Sequence, residues 1–335
     1  MRAALRRFLT AEGIVGRVET TGTVAVACSG GADSLALAAA TVHCAAALGL
    51  TVHGLVVDHQ LQPGSAAVAQ TAAQTLRRLG CTAVRVLQIT VDGPGGPEAA
   101  ARQARYAALR EAAPAGALVL LGHTLDDQAE TVLLGLGRGS GPRSVAGMRE
   151  LDPPWGRPLL GVRRAVTAAA CAALDLAPWA DPHNADPRFR RVRLRTEVLP
   201  LLEDVLAGGV ARALARTAGQ LQEDLDVLEE QACGLLAAAR LDPDPSPGSG
   251  QGSGPGSGTD SSAADLDIAA LVQVPAALRR RVLRRWLLDA GVAELTDAHL
   301  RAADDLIGRW SGQGALRLPG GVELGRAQGR LHVSG

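Results

Sequence analysis

The chain has 335 residues, with 34 basic and 34 acidic side chains and only 2% aromatics. That length allows one large domain plus a smaller one with ample core, and the balanced charge excludes a global polyanion-binding surface. Every basic residue is arginine, which rules out the lysine of a Walker-type phosphate loop and that of a Schiff-base enzyme.

Residues 1–20 predict a short amphipathic helix. Its start, Met1-Arg2-Ala3-Ala4-Leu5-Arg6-Arg7, is basic but lacks a long apolar core or a cleavage site. No run approaches the ~20 apolar residues of a membrane span, so a cytoplasmic protein is expected. Val24 and Val26 then mark a strand buried on both faces. It stops at Ser29-Gly30-Gly31-Ala32-Asp33-Ser34, and a helix over 34–48 follows. The glycines permit a tight turn and close approach to a ligand, and amides at a helix start make an anion site. The plain alternative is a turn capped by Asp33 or Ser34.

A strand over 51–57 ends at Asp58-His59, a helix covers 66–79, and a third strand lies near 84–91. Pro97 opens a helix containing Arg102, Arg105 and Tyr106, and 117–122 is another strand. This alternation predicts right-handed βαβ crossovers in a doubly wound parallel sheet, with ligands beyond the strand C-termini. Ser29, Asp58 and His123 fall at three such ends. The next stretch, Gly122-His123-Thr124-Leu125-Asp126-Asp127-Gln128-Ala129-Glu130-Thr131, continues into a helix with His123, Asp127 and Glu130 roughly on one side. Paired carboxylates beside a phosphate loop suit Mg²⁺, although acids in a first turn also serve the helix dipole.

Beyond 151 the pattern loosens. A helix is expected at 165–174, then an arginine-rich loop over 181–195 in which Arg188, Arg190, Arg191, Arg193 and Arg195 lie within eight residues. Residues 198–240 read as largely helical. Helices at 266–288 and 297–307 and a hairpin over 321–333 make a small α+β tail. The expected division is a catalytic domain at 1–200, a helical connection at 201–241, a flexible Gly/Ser/Pro linker at 242–263 and a small substrate-binding domain at 264–335. The five cysteines, Cys28, Cys44, Cys81, Cys171 and Cys233, show no Cys-x-x-Cys pair and no zinc spacing.

The string at 29–34 resembles the pyrophosphate-binding loop of N-type ATP pyrophosphatases, which share an adenine nucleotide alpha hydrolase-like fold and split ATP between its α and β phosphates. Together with Asp58-His59, residues 101–106, residues 122–131, Arg138-Gly139-Ser140-Gly141, Gly147-Met148, Arg157-Pro158-Leu159-Leu160 and Asp181-Pro182-His183-Asn184, it occurs in the order seen in tRNA(Ile)-lysidine synthases. The sole tyrosine, Tyr106, and the sole asparagine, Asn184, both lie inside these motifs. The sequence departs from the family in having His123-Thr124 for a His-His pair and Arg191-Val192 for an Arg-Asn pair. The extra C-terminal domain of some members is not expected, the last residue being Gly335.

The resemblance implies a two-step ligation. The C2 oxygen of the wobble cytidine of tRNA(Ile) with a CAU anticodon attacks the α-phosphate of ATP, and free L-lysine then displaces AMP to give lysidine. It implies ATP contacts from Ser29, Gly30, Gly31, Ala32, Asp33, Ser34 and Asp58, and Mg²⁺ on Asp33 and Asp127. Catalytic roles fall to Asp33, Arg102, His123, Asp126 and Asp127, a lysine contact to Glu130, and tRNA contacts to Arg138 and the five arginines of 188–195. A second arginine group, Arg279, Arg280, Arg281, Arg284 and Arg285, is expected to meet RNA from the tail. Rival readings are a tRNA thiolation enzyme of the same group, which commonly carries paired cysteines, and a non-catalytic nucleotide sensor. The oligomeric state is left open, a homodimer included.

Overall fold

Alternate residues of each central strand serve two different cores, which is what places helices on both faces of one sheet. The computed structural model describes residues 1–60, 62, 64–91, 97–139, 141–241 and 264–334. The expected linker at 242–263 and Ser140 of the Arg138 motif lie outside them. In chain order the first unit contains α1 (Arg2–Leu9), α2 (Val15–Thr21), β1 (Thr23–Ala27), α3 (Ala32–Leu48), β2 (Thr51–Asp58), α4 (Ser65–Leu79), β3 (Ala83–Gln88), α5 (Pro97–Ala112) and β4 (Leu118–Leu120). There follow α6 (Leu125–Arg138), α7 (Pro142–Val145), β5 (Leu151–Asp152), β6 (Trp155–Gly156), α8 (Arg164–Ala173), α9 (Arg190–Arg193), α10 (Leu199–Val205) and α11 (Val210–Ala239).

The sheet order is β3-β2-β1-β4-β6-β5, parallel throughout except for the edge strand β5. Val24, Val26, Val56, Leu118 and Leu120 pack with residues of α1, α3 and α4, while Ala25, Leu55 and Val119 pack with Leu109 and Ala112 of α5. Period-two alternation with apolar residues on both sides is the signature of a doubly covered parallel sheet.

Three local differences from the expected elements have physical causes. The predicted first helix is two helices, so that Leu5, Phe8 and Leu9 as well as Val18 reach one core. A straight 20-residue helix would run about 30 Å and carry one of these patches away. The β5–β6 hairpin adds two-residue strands too short to show alternation. The arginine-rich stretch expected as a loop is partly helical: α9, a π-helical turn over Leu194–Val198 and α10 follow one another directly.

The described chain divides into two compact units, Met1–Leu221 and Gln222–Gly335, with the division inside α11. In the second unit, β7 (Leu266–Asp267), α12 (Ala276–Asp289), α13 (Asp297–Gly308), β8 (Leu316–Arg317), β9 (Glu323–Ala327) and β10 (Arg330–Ser334) form an antiparallel sheet, β7-β10-β9-β8, with two helices. Trp286 is fully buried there among Ala232, Leu236 and Ala239 of α11, its indole N–H donating to the Ala264 carbonyl at 2.9 Å. The helix expected from 266 begins only at Ala276, after Pro275, where a proline readily starts a helix. No described helix is long and apolar enough to cross a membrane.

Candidate active site

The loop after β1 is shaped to receive an anion. Gly30 has φ +84° and Gly31, extended, is the N-cap of the 17-residue helix α3, with no side-chain cap. The orphan amides of the first turn therefore face outward rather than into a cap, at the positive end of the helix dipole. Neither Asp33 nor Ser34 caps the helix. Ser34 instead braces the loop: its hydroxyl donates to the Gly31 carbonyl at 2.9 Å and accepts from the Ser29 amide at 3.2 Å. Gly30 is pinned from outside by the Trp179 amide, which donates to its carbonyl at 2.9 Å. Gly122, at the end of β4, lets this backbone come close: a Cβ there would lie 3.1 Å from the Asp33 carbonyl carbon and the Ser34 nitrogen.

Thr124 caps α6 through a capping box with Asp127, so the dipole reading of these acids is also satisfied. Asp127 Oδ2 accepts from the Thr124 amide at 2.8 Å and hydroxyl at 2.7 Å, which turns Oδ1 into the crevice. There it meets Arg164 Nη2 at 2.6 Å, while Arg164 Nε reaches Asp33 Oδ2 at 3.3 Å and Nη1 reaches Glu130 at 3.5 Å. One guanidinium thus ties together three carboxylates from α3 and α6. Asp33 Oδ1 also accepts from the Thr167 hydroxyl. Asp126 points elsewhere, accepting from the Arg164 amide at 2.7 Å and pairing with Arg163 at 3.1 Å.

Glu130 is wholly buried, held by Arg195 Nε at 2.9 Å and faced by Arg191 at 3.8 Å. The π-helical turn that carries Arg195 adds a residue to the helical register at this point, a device frequent at functional sites. Of the five arginines expected to meet RNA, Arg191 and Arg195 turn inward to this acid. Arg188 and Arg193 stay exposed, in ion pairs with Asp186 and Glu197, and Arg190 and Arg138 are exposed. In the tail, Arg279 is likewise turned inward, onto Asp304 at 2.7 Å.

A second group lies around β4 and α5. Arg102 stacks over Tyr106, 4.9 Å from the ring centroid, and Tyr106 packs edge-on against Trp155. The Nδ1 atoms of His59 and His123 and Nε of Arg157 are enclosed without a hydrogen-bond partner. Asp58 is buried at the end of β2, its Oδ1 accepting from the Gln60 amide at 3.0 Å.

The electrostatics follow from these contacts. Burial pushes Asp33 up, Thr167 and Arg164 pull it back, and Asp127 pushes it further up. Burial would also raise Asp127, yet Arg164 and the two Thr124 donors bring it below its ordinary value. His123 is pushed down to about 3, first by burial and then by Arg157, Arg105 and Arg102, against the pull of Asp127. It is a neutral imidazole at pH 7.

Two sequence families match the chain, the PP-loop domain over residues 4–202 and the TilS substrate binding domain over residues 266–332. Its relatives include the tRNA(Ile)-lysidine synthases of Nocardia farcinica, 55% identical over 99% of this chain and 96% of the relative, and Rhodococcus jostii, 53% identical over 99% and 94%. The chain belongs to the tRNA(Ile)-lysidine synthase family. The Mycobacterium tuberculosis member is 55% identical over 87% of this chain and 83% of its own length. A U34-tRNA thiolase from Methanococcus maripaludis, solved with its 4Fe-4S cluster, shares the fold with TM-score 0.53 and 17% identity, over 66% of this chain and 78% of that one.

Sequence reasoning missed Arg164, Thr167 and Trp179. The family motif containing Arg157-Pro158-Leu159-Leu160 stops just short of Arg163-Arg164, and the available signal was two arginines at a helix N-terminus, where the dipole disfavours them.

Proposed function

We infer that this chain is an ATP-dependent carbon–nitrogen ligase that converts the wobble cytidine of tRNA(Ile) with a CAU anticodon to lysidine. The observation that carries the reading is the meeting of the uncapped loop at 29–34 with Asp33, Asp127 and Glu130 in one crevice, in a chain matched over 99% of its length by lysidine synthases.

In the first step the cytidine C2 oxygen attacks the α-phosphate and pyrophosphate departs. The loop amides and the Ser29 and Ser34 hydroxyls hold the pyrophosphate, with Asp58 at the neighbouring strand end. Arg102 offsets charge gathering at the α-phosphate; as a guanidinium it keeps its charge and acts electrostatically. His123, a neutral imidazole, is the candidate contact to the nucleotide or base. In the second step the lysine amine attacks C2, AMP leaves, and the amine must give up a proton. A carboxylate among Asp126, Asp127 and Glu130 takes it; of these, Asp126 is committed to the start of α8. Glu130 is the contact for the amine.

The acids suit Mg²⁺: Asp33 and Asp127 present hard oxygens to one shared cation position. Among the described residues no group of three His, Cys, Asp or Glu is arranged around a metal, so Asp33 and Asp127 would be the protein groups that hold it. When bound, the ion stabilises the leaving pyrophosphate. The exposed Arg138, Arg188, Arg190 and Arg193 contact tRNA phosphates, and Arg191 and Arg195 serve from within. Residues 1–200 act as the catalytic domain, 201–241 as a helical connection, and 264–335 as the tRNA-binding domain, in a cytoplasmic enzyme.

The test is ATP-dependent incorporation of labelled lysine into unmodified isoleucine CAU tRNA, with methionine tRNA as control. Label in the isoleucine tRNA alone, abolished in Asp33→Ala, supports the assignment. Pyrophosphate release without lysine incorporation assigns a different second substrate.

A further inference from the structure

The guanidinium of Arg164 sits where the reading above needs a different cation. It spans Asp127, Asp33 and Glu130 at 2.6, 3.3 and 3.5 Å. The three carboxylates differ in what else they hold. Glu130 keeps Arg195 and Arg191, and Asp127 Oδ2 keeps the amide and hydroxyl of Thr124. Lifting Arg164 away therefore leaves Glu130 paired, leaves Asp127 Oδ1 with only Arg195 Nη2 at 4.0 Å, and strips Asp33 Oδ2 of its close cation. The two like charges then need one positive group between them.

The position of Arg164 in the fold supports a movable group rather than a fixed strut. It is the first residue of α8, where the dipole repels a cation, so the acids are what keep it in place. Its side chain is 26% exposed, whereas Glu130 beneath it is fully enclosed. Its backbone is anchored independently through the amide held by Asp126, so the side chain can swing without the helix start moving.

We propose that Arg164 is a place-holding cation: a positioning residue that keeps Asp33, Asp127 and Glu130 in register in the free enzyme and gives way at Asp127 to the ammonium of the incoming lysine. The inference rests on the ligase reading for the identity of the amine. Its geometry, an acid-lined cation position already filled by a side chain, stands for any alkylammonium ligand. Selectivity follows from the exchange, because only a ligand whose cation displaces a three-point guanidinium gains the site.

The experiment is calorimetric titration of lysine into the full-length protein, for wild type, Arg164→Gln and Arg164→Lys, with lysine incorporation into tRNA measured alongside. Removing the competitor is expected to tighten lysine binding about tenfold in Arg164→Gln, equivalent to about 1.4 kcal/mol. The turnover number falls at least as much, because the acids lose their register. Arg164→Lys, a point charge on a shorter arm, lies between in lysine affinity. Added methylguanidine should compete with lysine in Arg164→Gln. A merely structural arginine would lower the active fraction and leave lysine affinity unchanged or weaker, and that result overturns the proposal. If wild type incorporates no lysine but Arg164→Gln still binds it more tightly, the ligase reading fails and the place-holder stands. A fold check by circular dichroism accompanies both variants, and Arg164→Lys supplies the affinity comparison if Arg164→Gln does not fold.

Discussion

Replacing Glu130 by glutamine removes one negative charge from a point where three guanidinium groups converge while leaving the shape almost unchanged. The wild-type side chain is 0% exposed, with Arg195, Arg164 and Arg191 at 2.9, 3.5 and 3.8 Å. Glutamine Oε1 can still accept from Arg195 Nε, but its NH₂ then confronts a guanidinium, donor against donor. Neutralising one partner of a buried ion pair costs about 3–5 kcal/mol, because the opposite charge stays behind. The arginines here are 26–36% exposed, so water recovers part of that cost and the lower end, about 3 kcal/mol, applies. In a unit of this size each kcal/mol moves the melting temperature by about 2–4 °C, giving a drop of about 6–12 °C. Scanning calorimetry of the full chain measures it, with Glu197→Gln as the control. Glu197 is paired with Arg193 in solvent and its loss should not move the transition measurably. A Glu130→Gln protein that melts with the wild type would refute the reasoning, since the guanidinium cage would then add nothing net to the fold.

Gly122→Ala places a methyl group 3.1 Å from the Asp33 and Ser34 backbone, so the loop must retreat by a few tenths of an ångström. ATP affinity, by equilibrium dialysis, is expected to fall about tenfold, a loss of about 1.4 kcal/mol, and an unchanged affinity would detach the loop from ATP. His123 titrates near 3 in the fold against 6.5 in the unfolded chain. The unfolded state therefore binds the extra proton between those values, and stability is lost as pH falls through that window, by up to ~1.4 kcal/mol per pH unit. Urea midpoints of His123→Asn should decline less on acidification than those of wild type; parallel curves would contradict a buried neutral imidazole. Joint replacement of the exposed Arg188, Arg190 and Arg193 by alanine should flatten the salt dependence of tRNA binding by about one logarithmic unit for each phosphate no longer neutralised, read by filter binding across ionic strengths. Arg191→Ala should instead lower the melting temperature with little change in that slope.

The parallel sheet was legible because its strands carry apolar residues on both faces and because each stops at a polar residue on one edge. Val24 and Ala25 face opposite cores, and that alternation needs no knowledge of the partner. The pieces that escaped are those in which tertiary contact overrides local pattern. The β5–β6 hairpin is two residues a side, held by pairing with β4 rather than by its own sequence. Residues 181–195 read as a loop because arginines dominate it, yet Val192, buried, and Arg195, aimed at Glu130, require helical and then π-helical backbone. A charge run is indistinguishable in sequence from a solvated face until the acid it serves is located.

The site was legible one element at a time and illegible where it joins. Ser29–Gly30–Gly31 and the acids of 126–130 announce themselves through local chemistry, but Arg164 meets Asp33 across 131 residues of sequence and Asp127 across 37. No spacing rule reaches that far. What the sequence did supply is a constraint whose force appears only with the geometry: the chain contains no lysine. Every cation lining the acid cluster is therefore a guanidinium, permanently charged, planar and able to span several carboxylates at once. A compact ammonium with three donors differs in kind from all of them. On the reading proposed above, the only ε-ammonium that this site meets is the one that the substrate brings. A place-holder built from arginine can then fill the cation position without being chemically confusable with the nucleophile, since a guanidinium does not lose its proton at neutral pH and cannot itself attack the adenylated base. That is the physical reason to expect Arg164→Lys to be more than a weaker version of wild type: it would set a second, proton-losing amine beside the reacting centre.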